Sequence, residues 1–268
     1  MSRYAAMFER CRAKRRIAFG GFMMLGHPSP AATGELLDAL VEGGADMVEL
    51  GIPFSDPVAD GPVIARAGKQ ALDAGVTPHE CLAMIADFRS RHSDIPLGIL
   101  TYANIVIARG RGTFAHQLAD AGADSLLVAD VPSIEARPWA EDMIAAGIDP
   151  VLIAAPNTPD PALERIAALG RGYTYCVARS GVTGTGEAPR LAHGALFAAL
   201  ERHGAPPPVL GFGISTPEHV RQALAAGAAG VICGSAIVKL VEEASSEKVA
   251  QFVAEMKAAT RAAKPHSS

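Results

Sequence analysis

The sequence predicts an α/β fold: a single (β/α)8 barrel occupying residues 1–268 as one domain. Three observations lead there. Short, nearly continuous apolar runs recur along the chain, separated by longer stretches with helical spacing, the pattern of a parallel sheet covered by helices. A Gly-containing tetrapeptide stands just before several of those runs. The chain is 49% hydrophobic and has no linker or low-complexity segment, so its length suits one large core of barrel size.

In order, an amphipathic N-terminal helix over residues 1–16 comes first. The apolar runs then read "FGGFMML" (19–25), "DMVELG" (46–51), "PLGILTY" (96–102) and "DSLLVAD" (124–130). They continue as "DPVLIAA" (149–155), "YTYCVA" (173–178), "PVLGFG" (208–213) and "GVICG" (230–234). Eight such units in about 250 residues favour a closed TIM barrel over an open doubly wound sheet. "GGAD" (43–46), "AGAD" (121–124), "AGID" (146–149) and "AGAA" (226–229) each precede a strand. Glycine there takes the left-handed conformation that ends a helix, and the chain turns into the sheet. A frayed tail is expected after about Ala259.

The net charge is −4, and the one basic cluster is "RAKRR" (12–16). It reads as a solvated helix face, which sets nucleic-acid and membrane binding aside. Cys11, Cys81, Cys176 and Cys233 form no C-x-x-C, and the last two lie in apolar runs where a thiol acts as a small buried hydrophobe. That usage fits a reducing cytoplasm better than a disulfide scaffold. No apolar run reaches the roughly 18 residues of a membrane span, and a signal-peptide core is lacking. A cytoplasmic protein is expected.

Barrels place their chemistry at the C-terminal ends of the strands, and "ELGIPFSDPVADGP" (49–62) begins at such an end. Glu49 stands between Val48 and Leu50, so partial burial should raise its pKa and make it a proton carrier near neutral pH. Asp60, in the following loop, approaches the same ligand from another side and completes an acid/base pair. The plainer alternative pairs Glu49 with a core arginine and leaves Asp56 and Asp60 as turn caps. "GFGIS" (211–215) and "GSAI" (234–237) end the last two strands, where glycine backbone and a helix N-terminus can hold a phosphate. Gly213, Gly234 and Ser235 are the candidates. "ARSGVTGTGEAP" (178–189) is a glycine-rich loop long enough to fold over a ligand, with Thr183 and Gly184 in reach of it. Phe22, Leu100, Tyr102, Leu127, Ile153, Tyr175 and Phe212 lie near strand ends, and those facing inward would supply an apolar lining.

None of the six lysines ends a predicted strand, so a Schiff-base aldolase or a pyridoxal enzyme lacks its nucleophile. The eight histidines show no metal-type spacing, and no metal or other cofactor is expected. His27, in the first loop, has two readings: it touches the site from that loop, or, the one expected, it is hydrated at the surface. What remains is carboxylate acid/base chemistry on a phosphorylated, partly apolar substrate.

The stretch 49–62 together with "YANIV" (102–106), "LLVADVP" (126–132), "RGYTYCVARSGVTG" (171–184), "GFGIS" and "GSAIVK" (234–239) closely resembles the tryptophan synthase alpha chain family. The likeness runs in order from about Phe19 to Lys239. It implies a cofactor-free retro-aldol cleavage of indole-3-glycerol phosphate to indole and glyceraldehyde 3-phosphate. Within it, Glu49 matches the proton carrier and Asp60 the group that stabilises the indole N–H. Gly184, Gly213, Gly234 and Ser235 match the phosphate binders, with Phe22, Leu100, Tyr102, Tyr175, Thr183 and Phe212 around the substrate. The resemblance also implies a pyridoxal-dependent beta chain as partner in an alpha2-beta2 assembly, faced by the loop with Pro53 and Asp56 and by the loop around Asn104.

The sequence departs from the family pattern in four places. Met24, Leu25, Gly26, His27 and Pro28 stand where Thr-Leu-Gly-Asp-Pro is frequent, and Val63, Ile64 and Ala65 where Thr-Ile-Gln is common. Residues 155–157 read Ala-Pro-Asn instead of Pro-Pro-Asn, and Ala178 replaces a serine. No catalytic or phosphate position is lost, but His27 and Ala65 fall near loops that communicate with the partner. Two other readings stay open: a stand-alone lyase releasing free indole, and a weakly active paralogue serving as a binding module.

Overall fold

The computed structural model describes residues 1–177, 193–243 and 245–261. Its strands are β1 (Ala18–Met24), β2 (Met47–Gly51), β3 (Leu97–Thr101), β4 (Ser125–Val128), β5 (Asp149–Pro150), β6 (Leu152–Ala154), β7 (Thr174–Cys176), β8 (Pro208–Leu210) and β9 (Gly230–Cys233). Every pairing is parallel, in the order β5-β4-β3-β2-β1-β9-β8-β7-β6. All eight predicted strands are present. The fifth, read as one run over 149–155, is split, because Pro150 has no N–H to continue a ladder. β5 pairs with β4, β6 pairs with β7, and Val151 between them donates its N–H to the Leu126 carbonyl at 3.0 Å. The two ends of the sheet therefore meet at one strand position, and the barrel closes there.

Alternation along the strands sorts the core into two layers. Val48, Leu50, Leu97 and Ile99 point outward and pack beneath the surrounding helices. Met47, Phe22, Leu127, Tyr173, Tyr175 and Ile232 belong to a second cluster that fills the barrel interior. Each fully buried aliphatic or aromatic side chain contributes about 1.5–3 kcal/mol. The same alternation turns Glu49, between two outward neighbours, into the barrel.

The glycine punctuation has the predicted geometry. Gly44, Gly122, Gly147 and Gly227 have φ of 94°, 90°, 81° and 91°, each one turn before a strand. The aspartates that follow two of them have a further use. Asp46 accepts the Phe19 N–H at 2.9 Å, and Asp124 accepts the Leu97 N–H at 2.8 Å, so each pins the start of a neighbouring strand.

The N-terminal end of the barrel is covered by a helix, Arg3–Ala13, which buries Tyr4, Met7, Phe8 and Cys11. It is shorter than the span 1–16 because Arg15 turns to φ 50°. Within the basic cluster Arg12, Lys14 and Arg15 are exposed, as expected of a solvated face, but the Arg16 side chain is 7% exposed and grips Asp46. At the other terminus Thr260 is buried and Arg261 bridges to Arg16, while the rest of the tail expected to fray after about Ala259 lies outside the described residues. All four cysteines are buried and free, as their apolar surroundings suggest. No helix among the described residues is long and apolar enough to cross a membrane.

Candidate active site

Glu49 is 2% exposed at the C-terminal half of β2, a position normally reserved for apolar side chains. One oxygen, Oε1, accepts the Tyr173 hydroxyl at 2.8 Å, while Oε2 is buried without a partner. Among the described residues no arginine or lysine pairs with it, so the plainer alternative of a core ion pair is not what the fold built. Burial pushes the Glu49 carboxyl up to about 7, with the nearby Asp60 charge adding and the Tyr173 bond opposing.

Asp60 reaches the same space from the loop after β2. Gly61 caps and Pro62 opens the helix Pro62–Asp73, which fixes where that loop must end. Burial raises the Asp60 carboxyl to about 6, against a lowering bond from Tyr102. Tyr102 is not on the cavity wall. It is buried, stacks on Phe54 with ring centroids 5.1 Å apart, and accepts the Ala59 N–H at 3.3 Å. Its hydroxyl therefore holds the loop that carries Asp60.

Glu49 and Asp60 open on a cavity of about 280 Å³ at the barrel mouth. Phe22, Leu100, Tyr175 and Phe212 form its apolar side. Gly213, Gly234 and Ser235 line it too, on the last two loops. Gly213 has φ 78°, a conformation that favours glycine, and Ser235 begins the helix Ser235–Glu243, whose first N–H groups have no intrahelical acceptor. The remaining apolar candidates lie elsewhere: Leu127 is interior core, and Ile153 borders a separate groove between the loops after β4 and β6. Thr183, Gly184 and the loop 178–189 lie outside the described residues.

Two residues of the site escaped sequence reasoning. Tyr173 shares a face with Tyr175 two positions on, and that alternation was the available signal. Gly211 is the other. A Cβ there would stand 2.0 Å from the Tyr175 ring, whose hydroxyl donates to the Gly211 carbonyl at 3.2 Å. His27 is a correction, since it is 1% exposed and far from hydrated.

The candidate partner residues separate likewise. Asp56 and Asn104 are exposed, whereas Pro53 is buried and can only shape its loop. Three large apolar side chains stand out to solvent beside them: Val58, Ile107 and Ile134, 71%, 57% and 71% exposed, in or near the loops that follow β2, β3 and β4.

Fold and cavity together define a parallel α/β barrel whose mouth holds two carboxylates near their titration points at neutral pH. The family model for the tryptophan synthase alpha chain matches residues 8–266. The tryptophan synthase alpha chain of Serratia proteamaculans is 47% identical over 98% of this chain and 100% of its own length. Among solved structures, tryptophan synthase subunit alpha from Legionella pneumophila superposes with a TM-score of 0.87 at 30% identity, covering 97% of this chain and 98% of that one. An aminoacrylate-bound tryptophan synthase from M. tuberculosis gives a TM-score of 0.87 at 30% identity, over 97% of this chain and 100% of that one. This chain belongs to the tryptophan synthase alpha chain family.

Proposed function

We propose that this chain is a carbon–carbon lyase of L-tryptophan biosynthesis that cleaves indole-3-glycerol phosphate to indole and glyceraldehyde 3-phosphate. It works in the cytoplasm as the alpha subunit of an alpha2-beta2 assembly with a pyridoxal-dependent beta chain. The observation that carries the reading is the Glu49 carboxyl, anchored by Tyr173 through one oxygen and bare on the other at the cavity wall.

The chemistry needs one proton delivered and one removed. Indole leaves only when its C3 is protonated, and the aldehyde forms only when the adjacent glycerol hydroxyl loses its proton. The C–C bond electrons return to the indole ring as the new C=O forms. Glu49, held near 7 by burial, gives the first proton and takes the second, so it ends in its starting state. Asp60 faces the indole N–H and offsets the positive charge that develops there. Phe22, Leu100, Tyr175 and Phe212 hold the indole ring. Gly213, Gly234 and Ser235, with Thr183 and Gly184, hold the phosphate, so binding energy far from the reacting bond orients the reacting carbons. Tyr102 acts on the substrate only through the Asp60 loop.

The exposed apolar side chains Val58, Ile107 and Ile134, beside Asp56 and Asn104, favour a partner-binding face around the barrel mouth. The test is indole release from indole-3-glycerol phosphate by the purified chain, with and without a beta chain of the same organism. Slow release that rises many-fold with the partner is expected. Release unaffected by the partner would assign a free-standing lyase, and none in either case would overturn the assignment.

A further inference from the structure

His27 is the one histidine on the first βα loop, and it is placed between two helices that both begin in the candidate site. On one side lies Ser235–Glu243, whose first residue borders the cavity; on the other lies Pro62–Asp73, which starts directly after Asp60 and Gly61. The ring nitrogen Nε2 is 3.4 Å from the Val238 carbonyl and 3.6 Å from Glu242 Oε1. Glu242 in turn lies 3.5 Å from Arg66 on the other helix. The second ring nitrogen, Nδ1, is buried without a partner.

Those contacts fix the state of the ring. Burial pushes the His27 pKa below its ordinary value, with the Arg66 charge acting the same way and the Val238 carbonyl, Glu242 and Gln70 opposing. The neutral ring carries one N–H. Placed on Nε2 it meets the Val238 carbonyl; placed on Nδ1 it would be a buried donor with no acceptor, which costs about 1–3 kcal/mol. An Nε2–H satisfies the Val238 carbonyl, which belongs to the helix that carries Ser235. The loop itself has little freedom to yield, since Gly26 has φ 81° and a Cβ there would stand 2.5 Å from Val76.

We infer that His27 is a positioning residue for the phosphate end of the site: through Val238 and the Glu242–Arg66 bridge it sets helix Ser235–Glu243 against helix Pro62–Asp73, and so fixes Ser235 relative to Asp60. This rests on the proposed assignment of Gly234 and Ser235 to the substrate phosphate. It needs no contact between His27 and the substrate.

The experiment compares His27→Leu and His27→Gln with the unmodified chain, in complex with its beta chain, using indole-3-glycerol phosphate and the phosphate probe glycerol 3-phosphate. Leucine fills the space without a donor, and glutamine restores an N–H near the place of Nε2. His27→Leu is expected to raise KM and the glycerol 3-phosphate Kd by about tenfold with kcat nearly unchanged, and His27→Gln to recover most of the loss. A leucine variant that lowers only Tm, with KM and Kd intact, overturns the inference. Should His27→Leu fail to fold, Glu242→Gln removes the shared carboxylate at the half-exposed end of the bridge. Its Kd for glycerol 3-phosphate is expected to rise about threefold, and an unchanged Kd overturns the inference. If the unmodified complex cleaves no substrate, the functional assignment fails instead, and the two failures are distinguishable.

Discussion

Asp46 and Glu49 stand three residues apart, one just before β2 and the other midway along it, and the barrel treats them in opposite ways. Asp46, at the N-terminal end, receives two 2.7 Å bonds from Arg16, the Lys257 ammonium and the Phe19 N–H. Burial alone would raise its pKa, but the Arg16 and Lys257 partners outweigh burial and hold it below the ordinary value. Asp124 repeats the arrangement under β3, gripped by Arg3 and Arg89 at 2.7 Å each. Glu49, farther along β2 and facing the barrel mouth, has one hydroxyl donor, no cation and a bare oxygen, and burial wins. Asp46 and Asp124, at the N-terminal face, are satisfied by cations, while Asp149 on that face is pushed up by burial and by the neighbouring Asp124. Glu49, toward the barrel mouth, is left with a bare oxygen and a raised pKa.

The largest effect should come from removing the unsatisfied group. Glu49→Gln is expected to lower turnover with the beta chain by about 10³-fold while glycerol 3-phosphate still binds, because the amide keeps an acceptor for Tyr173 but cannot carry a proton. Measured kcat and Kd check this, and normal turnover would remove Glu49 from the mechanism. The mirror experiment is Asp46→Ala, which strands Arg16 and Lys257 in a partly buried site. It should cost about 3 kcal/mol in denaturant unfolding and leave kcat of the folded enzyme unchanged. If the two substitutions exchanged effects, the division between the faces would be wrong.

Next in size is Gly211→Ala, which drives a methyl group into the Tyr175 ring. About 1–3 kcal/mol of strain is expected, read as a raised KM and a lowered Tm together.

The pH dependence sharpens the comparison further. Glu49 and Asp60 have raised pKa values, about 7 and about 6, so their folded-state stability is greatest below the unfolded carboxyl pKa of about 4 and is lost as pH rises toward 7. Asp46 has a lowered pKa, so its contribution is present above about 4 and is lost as pH falls through its folded value. Urea titrations from pH 4 to pH 7 should therefore find Glu49→Gln gaining on the parent chain as pH rises. Activity depends on both groups: kcat/KM should fall below about 6 as Asp60 loses its charge, and above about 7 as Glu49 loses the proton it delivers. The smallest effect is expected for Tyr102→Phe. Losing one bond to the Asp60 loop should lower kcat/KM by a few-fold, about 1 kcal/mol, with indole affinity unchanged.

The eight strands and the glycines that introduce them were legible because apolar runs and left-handed turns are local properties. Glu49 was legible for the same reason: an acid between Val48 and Leu50 at a strand end breaks a local rule. Its hydrogen-bond partner was not. Tyr173 lies 124 residues from Glu49, and nothing near either one announces the bond. Arg16 looked like part of a solvated patch until the turn at Arg15 swung it onto Asp46. His27 looked hydrated because its own neighbours are loop residues; the helices that bury it come from residues 62–73 and 235–243.

The sequence by itself determined the element order, the direction each strand faces and the end of the barrel at which the acids stand, since φ/ψ preference and side-chain alternation act over a few residues. Only the closed barrel decided which acids are neutralised and which are left bare. A charge's environment is set by every chain segment packed around it, and those segments meet only after β5 and β6 join the two edges of the sheet.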